Sequence, residues 1–267
     1  MYPYERNIRK NLETHPWHNK IVVLKSVGST NTYAKAMAAR RASHGTVIIA
    51  DHQTAGRGRM GRSFSSPKGM GLYCSVILRL SVSPDKSLSL TLLAAEAARR
   101  AVLEATGVSA DIKWINDLLF EGKKLCGILT ETAVSSPEKL DYAVIGIGIN
   151  CNQQEEDFPS EIAKNSISLQ QITGQPTDRA ALAAALLRHM EQAFVALMND
   201  CTPWLDTYQQ HCVTLGQDVR LIQNEQVRPA HVDGMDDLGA LLVTLEDGTR
   251  ERIFSGEVSV RGMYDYV

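Results

Sequence analysis

The segment Thr46-Val-Ile-Ile-Ala50-Asp-His-Gln-Thr-Ala55-Gly-Arg-Gly-Arg-Met-Gly-Arg62 sets the reading of the whole chain. An apolar run of β-forming residues ends in a polar stretch, and three glycines then alternate with three arginines between positions 56 and 62. Glycine lets backbone N–H groups come close to a ligand. Arginine offers a planar fork of donors matched to carboxylate and phosphate. Strand and loop together describe a flap able to close over a polyanionic small molecule. The plainer alternative is a solvated basic turn. The loop is not a P-loop, because no Gly-Lys-Ser/Thr follows.

The strand before this loop has company. Ile21–Leu24, Leu72–Leu78 and Tyr142–Asn150 are further apolar runs of strand length. The last is nearly unbroken, which predicts a central strand covered on both faces. Its Gly146 and Gly148 allow a close neighbour. Helices are predicted over Tyr33–Arg41, ended by Gly45, and over Leu88–Thr106, ended by Gly107. Two more follow, Thr177–Asn199, with apolar residues at helical spacing, and Trp204–Cys212. Asp111–Glu131 reads as a β-hairpin turning at Glu121-Gly122. Residues 1–20 hold at most one short helix, and residues 152–176 are polar and broken by Pro159 and Pro176. Composition shifts near Leu215-Gly216 to short strands and turns, with Glu246-Asp-Gly-Thr249 as a hairpin signal. The expected fold is therefore α+β: a mixed central sheet flanked by helices over 1–214, and a small β-barrel over 215–267 that packs against it.

Composition narrows the function. The 267 residues are 44% hydrophobic and 22% charged, ordinary for a globular protein, and the net charge of −2 gives no basic excess for a long nucleic-acid duplex. Five cysteines at 74, 126, 151, 201 and 212 form no Cys-x-x-Cys pair, which suits a reducing cytoplasm. His15 and His18 have no further ligands nearby and read as surface residues. Neither a signal pattern nor an apolar run of membrane-spanning length is expected, and hence no membrane role.

Polar residues gather in four places. Ser29, Thr30 and Asn31, with Gln53, offer neutral hydrogen bonds where a strand gives way to a helix; they also suit plain helix capping. Arg57, Arg59 and Arg62 offer mobile positive charge. Lys113, Asn116, Asp117 and Lys124 are polar positions within otherwise apolar strands, where buried groups need partners; solvated lysines on an open face are the alternative. Asn150 adds an amide. No Ser/His/Asp or Cys/His arrangement is evident, and His52 reads as structural. This set favours positioning and charge stabilisation of a phosphate-bearing substrate over covalent catalysis.

In this order and spacing, Ser29-Thr-Asn31, Gln53–Arg62, Lys113-Trp-Ile-Asn-Asp117, Lys124-Leu-Cys-Gly-Ile-Leu129 and Gly146-Ile-Gly-Ile-Asn150 resemble the biotin protein ligases. The resemblance spans nearly the whole chain and ends at Gly256-Glu-Val-Ser-Val260. It implies a class II synthetase-like catalytic domain with an SH3-like C-terminal barrel. It implies a two-step reaction, in which biotin and MgATP give biotinyl-5′-AMP and a carrier-protein lysine then takes the biotin. Ser29, Thr30, Asn31, Gln53, Arg57, Gly58, Arg59 and Lys124 would hold biotin. Arg59, Arg62, Phe64, Lys113, Asn116 and Asn150 would hold ATP, and Lys124, Arg59 and Asp117 would serve catalysis, Asp117 also meeting Mg²⁺. The implied partner is the biotin carboxyl carrier protein of acetyl-CoA carboxylase, and a homodimer is among the expected assemblies. Ile115 stands where the family usually has proline. Phe64 stands near a usual tryptophan that stacks on adenine, so nucleotide affinity is what that change touches. Some members also bind DNA through an N-terminal domain; the 20 residues before Ile21 are too few for one, and specific DNA binding is not expected. Lipoate ligases and octanoyltransferases share the implied fold and remain the alternative.

Overall fold

A computed structural model describes residues 3–80, 82–136, 139–223, 226–254 and 259–262. The central sheet takes its strands from the apolar runs: β1 (Ile21–Leu24), β2 (Thr46–Ala50), β3 (Gly71–Leu78), β4 (Asp111–Lys113), β5 (Asp117–Phe120), β6 (Lys123–Ser136) and β7 (Lys139–Asn150). Their order is β1-β2-β3-β7-β6-β5-β4, so β7 is the middle strand of seven. β1 runs parallel to β2, and the other neighbours pair antiparallel. Every residue of β2 and β3 is buried, as strands covered on both faces must be.

Helix α2 (Thr30–Ala39) lies on one face, setting Ala34 and Ala38 against Ile48, Ile77 and Val144. On the other face pack α1 (Pro3–Lys10), α3 (Ser87–Thr106), α6 (Arg179–Met198) and α7 (Thr202–Gln210). Helix α6 is long and apolar enough by composition to cross a membrane, although Arg188 and Glu191 interrupt its apolar run. Here Leu182, Leu186, Met190 and Phe194 are spent on the core instead. Two short helices, α4 (Ser160–Ala163) and α5 (Leu169–Thr173), break up the segment that reads as featureless polar sequence.

Three local expectations need correction. Helix α2 begins at Thr30 rather than Tyr33, because Ser29 takes the N-cap and its Oγ accepts from Thr32 N. The helix stops at Ala39; Gly45, with φ +76°, serves instead as the turn into β2, where a side chain would strike the Trp17 indole. Asn116 is not in a strand but in the turn 114–116 between β4 and β5, whose Trp114–Ile115 peptide is cis.

The C-terminal segment forms a second, antiparallel sheet from β8 (Asp218–Gln223), β9 (Gln226–Met235), β10 (Leu241–Leu245), β11 (Arg250–Ile253) and β12 (Ser259–Gly262), in the order β11-β10-β9-β8-β12. Strand β9 escapes sequence reading because Pro229, Asp233 and Gly234 are poor strand formers and only Ala230 and Val232 face inward. The motif residues Gly256 to Val258 lie outside the described residues. Val219, Leu221, Val232, Leu241 and Val243 join the same apolar core as the large sheet. The Trp114 indole N–H donates to Gly239 O at 3.0 Å, fastening the small sheet to the turn 114–116.

Candidate functional site

A cleft of about 400 Å³ opens over β6 and β7. Its floor depends on two missing side chains. An added Cβ on Gly148 would sit 2.5 Å from the Phe64 ring, and one on Gly146 would run into the Asn31 amide. Register puts Gly127 opposite Gly148 and Leu129 opposite Gly146, so Phe64 lies over two facing glycines and Asn31 over one.

One end is a neutral hydrogen-bond network. Thr30 N and Oγ1 both donate to Gln53 Oε1, at 2.8 and 3.0 Å. Gln53 Nε2 donates to Ser66 Oγ at 2.8 Å, and Ser66 Oγ to Phe64 O at 3.0 Å. Ser75 Oγ, fully buried on β3, lies 2.8 Å from Thr30 Oγ1 and 2.6 Å from Asn31 Oδ1. Asn31 Nδ2 donates to Leu129 O and to Glu131 Oε2, at 3.2 and 3.0 Å. Burial raises the pKa of Glu131, but bonds from Lys35 and Asn31 and the charges of Lys35 and Arg57 outweigh it and hold the carboxyl below its ordinary range.

The other end is ionic. Lys124 Nζ lies 2.7 Å from Asp117 Oδ1. The Asn116 side chain is held twice: Nδ2 donates to Ile128 O at 2.9 Å and Oδ1 accepts from Arg59 Nη1 at 2.9 Å. Arg59 Nη2 is buried with no hydrogen-bond partner among the described residues. Burial lowers the affinity of Arg59 for its proton, with Asp117 opposing that effect and Arg62 reinforcing it. A buried donor short of an acceptor beside a lysine is a place where an anion would be stabilised. Asn150 Nδ2 donates to Lys124 O and Ile167 O, at 3.2 and 3.1 Å, while Lys124 N donates to Asn165 O at 2.8 Å. The backbone carrying Lys124 is thus fixed by the segment after α4.

Between the ends hangs the flap. It is closed on itself by Gly58 N to Arg62 O at 2.7 Å and Phe64 N to Gly56 O at 2.9 Å. Exposed Met60 sits at its tip in the left-handed region, at φ +54°. Arg57, Gly58, Arg59 and Arg62 line the cleft from above.

The structure therefore brings Ser29, Thr30, Asn31, Gln53, Arg57, Gly58, Arg59, Arg62, Phe64, Asn116, Asp117, Lys124 and Asn150 to one cleft. Lys113 is the exception. It is buried on the edge strand β4 and is not among the lining residues, which on this side begin at Asn116 beyond the turn. Sequence reading missed Ser75 and Glu131, whose one signal was a polar residue within an apolar strand. It also missed Phe158, Glu161, Ile162, Asn165 and Ser166, which form a wall. His52 stands outside the cleft with Nδ1 3.0 Å from Ser26 Oγ. Half-buried His15 accepts from Trp17 N, and no group of three His, Cys, Asp or Glu among the described residues is placed to hold a metal.

Residues 23–150 match the biotin/lipoate A/B protein ligase family, and residues 214–261 match the biotin protein ligase C terminal domain. The chain is 36% identical over 257 residues to the bifunctional ligase/repressor BirA of Bacillus subtilis (strain 168), covering 96% of this chain and 78% of that one. It is 34% identical over 224 residues to the biotin–[acetyl-CoA-carboxylase] ligase of Mycobacterium tuberculosis, covering 81% and 80%. The structure of the biotin protein ligase from Aquifex aeolicus in complex with biotin and ATP superimposes with a TM-score of 0.76 at 31% identity, over 91% of this chain and 99% of that one.

Proposed function

The chain belongs to the biotin protein ligase family, and from that membership we propose that it joins biotin to ATP as biotinyl-5′-AMP, then passes biotin to a lysine of the biotin carboxyl carrier protein of acetyl-CoA carboxylase. One observation carries the reading. Lys124 and Arg59 face the same cleft as the neutral Ser29, Thr30, Asn31 and Gln53 group.

The neutral end suits an uncharged ureido ring, which needs donors and acceptors but no counter-ion. The ionic end suits the carboxylate and the triphosphate. In the first step the biotin carboxylate attacks the α-phosphorus and pyrophosphate leaves. Lys124 and Arg59 stabilise the negative charge that gathers on the phosphoryl oxygens. Arg62 neutralises the outer phosphates, Phe64 and the wall from Phe158 to Ser166 cover the nucleoside, and Asn150 keeps the Lys124 backbone in place. In the second step the carrier lysine amine attacks the acyl carbon and AMP leaves, with Asp117 taking the proton the amine sheds.

Mg²⁺ usually binds through one or two carboxylates plus substrate phosphates. Asp117, with the Asn116 amide beside it, fits that pattern, and the ion would offset phosphate charge. Residues 1–214 would carry the chemistry and 215–267 support the turn 114–116. The five cysteines are unpaired, in keeping with a cytoplasmic protein. Edge strand β1 is where two subunits would pair into a homodimer, because the outer edge of β4 is taken by the 211–213 segment.

The test is incubation with biotin, MgATP and an apo carrier domain, read by mass. Exchange of pyrophosphate into ATP, dependent on biotin and not on lipoate or octanoate, separates this reading from the related acyl ligases. Exchange driven by lipoate alone would overturn it.

A further inference from the structure

Glu131 is outside the cleft lining, yet two walls of the cleft meet at its carboxylate. From α2, Asn31 Nδ2 donates to Oε2 at 3.0 Å and Lys35 Nζ to Oε1 at 2.8 Å. From the flap, Arg57 Nη1 lies 3.6 Å from the same Oε1. The glutamate side chain is 18% exposed and that of Arg57 49%, so the pair sits at the rim with the carboxylate sheltered.

We propose that Glu131 is a positioning residue that latches the flap over the neutral end of the cleft and sets how long biotin and its adenylate are retained. The proposal rests on the reading of this cleft as a biotin site. Side-chain tethers hold the flap down at both ends, Arg59 to Asn116 in the turn 114–116 and Arg57 to Glu131 on β6. The first holds the ionic end and the second the neutral end. The flap's internal bonds, between Gly58 and Arg62 and between Gly56 and Phe64, restrain its shape but not its distance from the floor. Glu131 acts on the floor as well. An ionised carboxylate only accepts, so Asn31 must turn its NH₂ toward Glu131 and its Oδ1 toward Ser75. One charge therefore meets both the amide beneath the ligand, whose orientation Leu129 O also requires, and the arginine above it. Lys35 brings a second cation, which keeps the carboxylate ionised when Arg57 lifts away.

Glu131→Gln keeps length and shape but removes the charge that Asn31, Lys35 and Arg57 share. Biotin dissociation, followed by stopped flow on the full chain, should accelerate about tenfold, the scale of one charge-assisted contact. More biotinyl-5′-AMP should appear free in solution before transfer, while biotin-dependent pyrophosphate exchange persists. Arg57→Gln should also speed release, and Glu131→Gln should then add little. Glu131→Asp, with shorter reach, should fall between wild type and Gln, which keeps the test open if the Gln variant folds poorly. An unchanged release rate in Glu131→Gln, or an undiminished effect in the Arg57→Gln background, would overturn the latch. Failure of exchange in the unaltered chain would overturn the biotin reading instead.

Discussion

Gly146→Ala tests whether the cleft floor works by the absence of a side chain. The new methyl would lie 2.8 Å from Asn31 Cγ and 3.0 Å from its Nδ2, against ordinary contact of about 3.5–4.0 Å. Gly146 is in the middle strand of the sheet and cannot retreat, so Asn31 must. Asn31 has three partners to lose, Ser75 Oγ at 2.6 Å, Leu129 O at 3.2 Å and Glu131 Oε2 at 3.0 Å. Two are neutral, at about 1 kcal/mol net each, and the charged one is worth about 1.5–3 kcal/mol. Full ejection would cost about 3.5–5 kcal/mol on that count, whereas overpacking typically costs about 1–3 kcal/mol. The chain takes the cheaper route, keeping some bonds and straining the rest. The expected result is about 1–3 kcal/mol less stability by urea titration, with a loss in biotin affinity of about tenfold or more by calorimetry. Asn31→Ala supplies the control. It removes the obstacle, so Gly146→Ala in that background should cost little further stability while biotin binding stays weak. If Gly146→Ala binds biotin as the wild type does, or destabilises equally in both backgrounds, the reasoning about the bare floor is wrong.

Three other outcomes follow from the geometry. Lys124→Ala should lower adenylate formation about 100-fold or more, because it removes a cation from developing charge, while biotin affinity by calorimetry falls far less; equal losses would count against its assigned role. Trp114→Phe removes the indole N–H and leaves the buried Gly239 carbonyl without it, so a loss of about 1–3 kcal/mol is expected in urea; an unchanged midpoint would mean that this bond does not hold the small sheet. The carboxyl of Glu131, facing Lys35, Arg57 and Asn31, has a folded pKa below its ordinary value of 4.5. Its stabilising effect is therefore present above that value and is lost as pH falls through the lower folded one. The stability gap between wild type and Glu131→Gln should shrink as pH drops below about 4.5, and a constant gap in urea midpoints would refute the assignment.

The sequence by itself determined the strands, since Ile21–Leu24, Thr46–Ala50, Leu72–Leu78 and Tyr142–Asn150 are apolar enough that burial in a sheet is their cheapest state. It also exposed the arginine flap and the lysine of β6, because glycine and charge inside apolar surroundings stand out locally. Helix ends were less legible: Ser29 capped α2 earlier than the apolar pattern suggests, and the strand β9 hid behind its proline and glycine. Only the tertiary structure decided which polar groups share the cleft. It brought Ser75 and Glu131 to Asn31 across separations of 44 and 100 residues, left Lys113 at the sheet edge, and made a wall of Phe158 to Ser166. Those choices follow from strand register and from helix docking on a shared core. Such contacts depend on distances in space that no local spacing along the chain records.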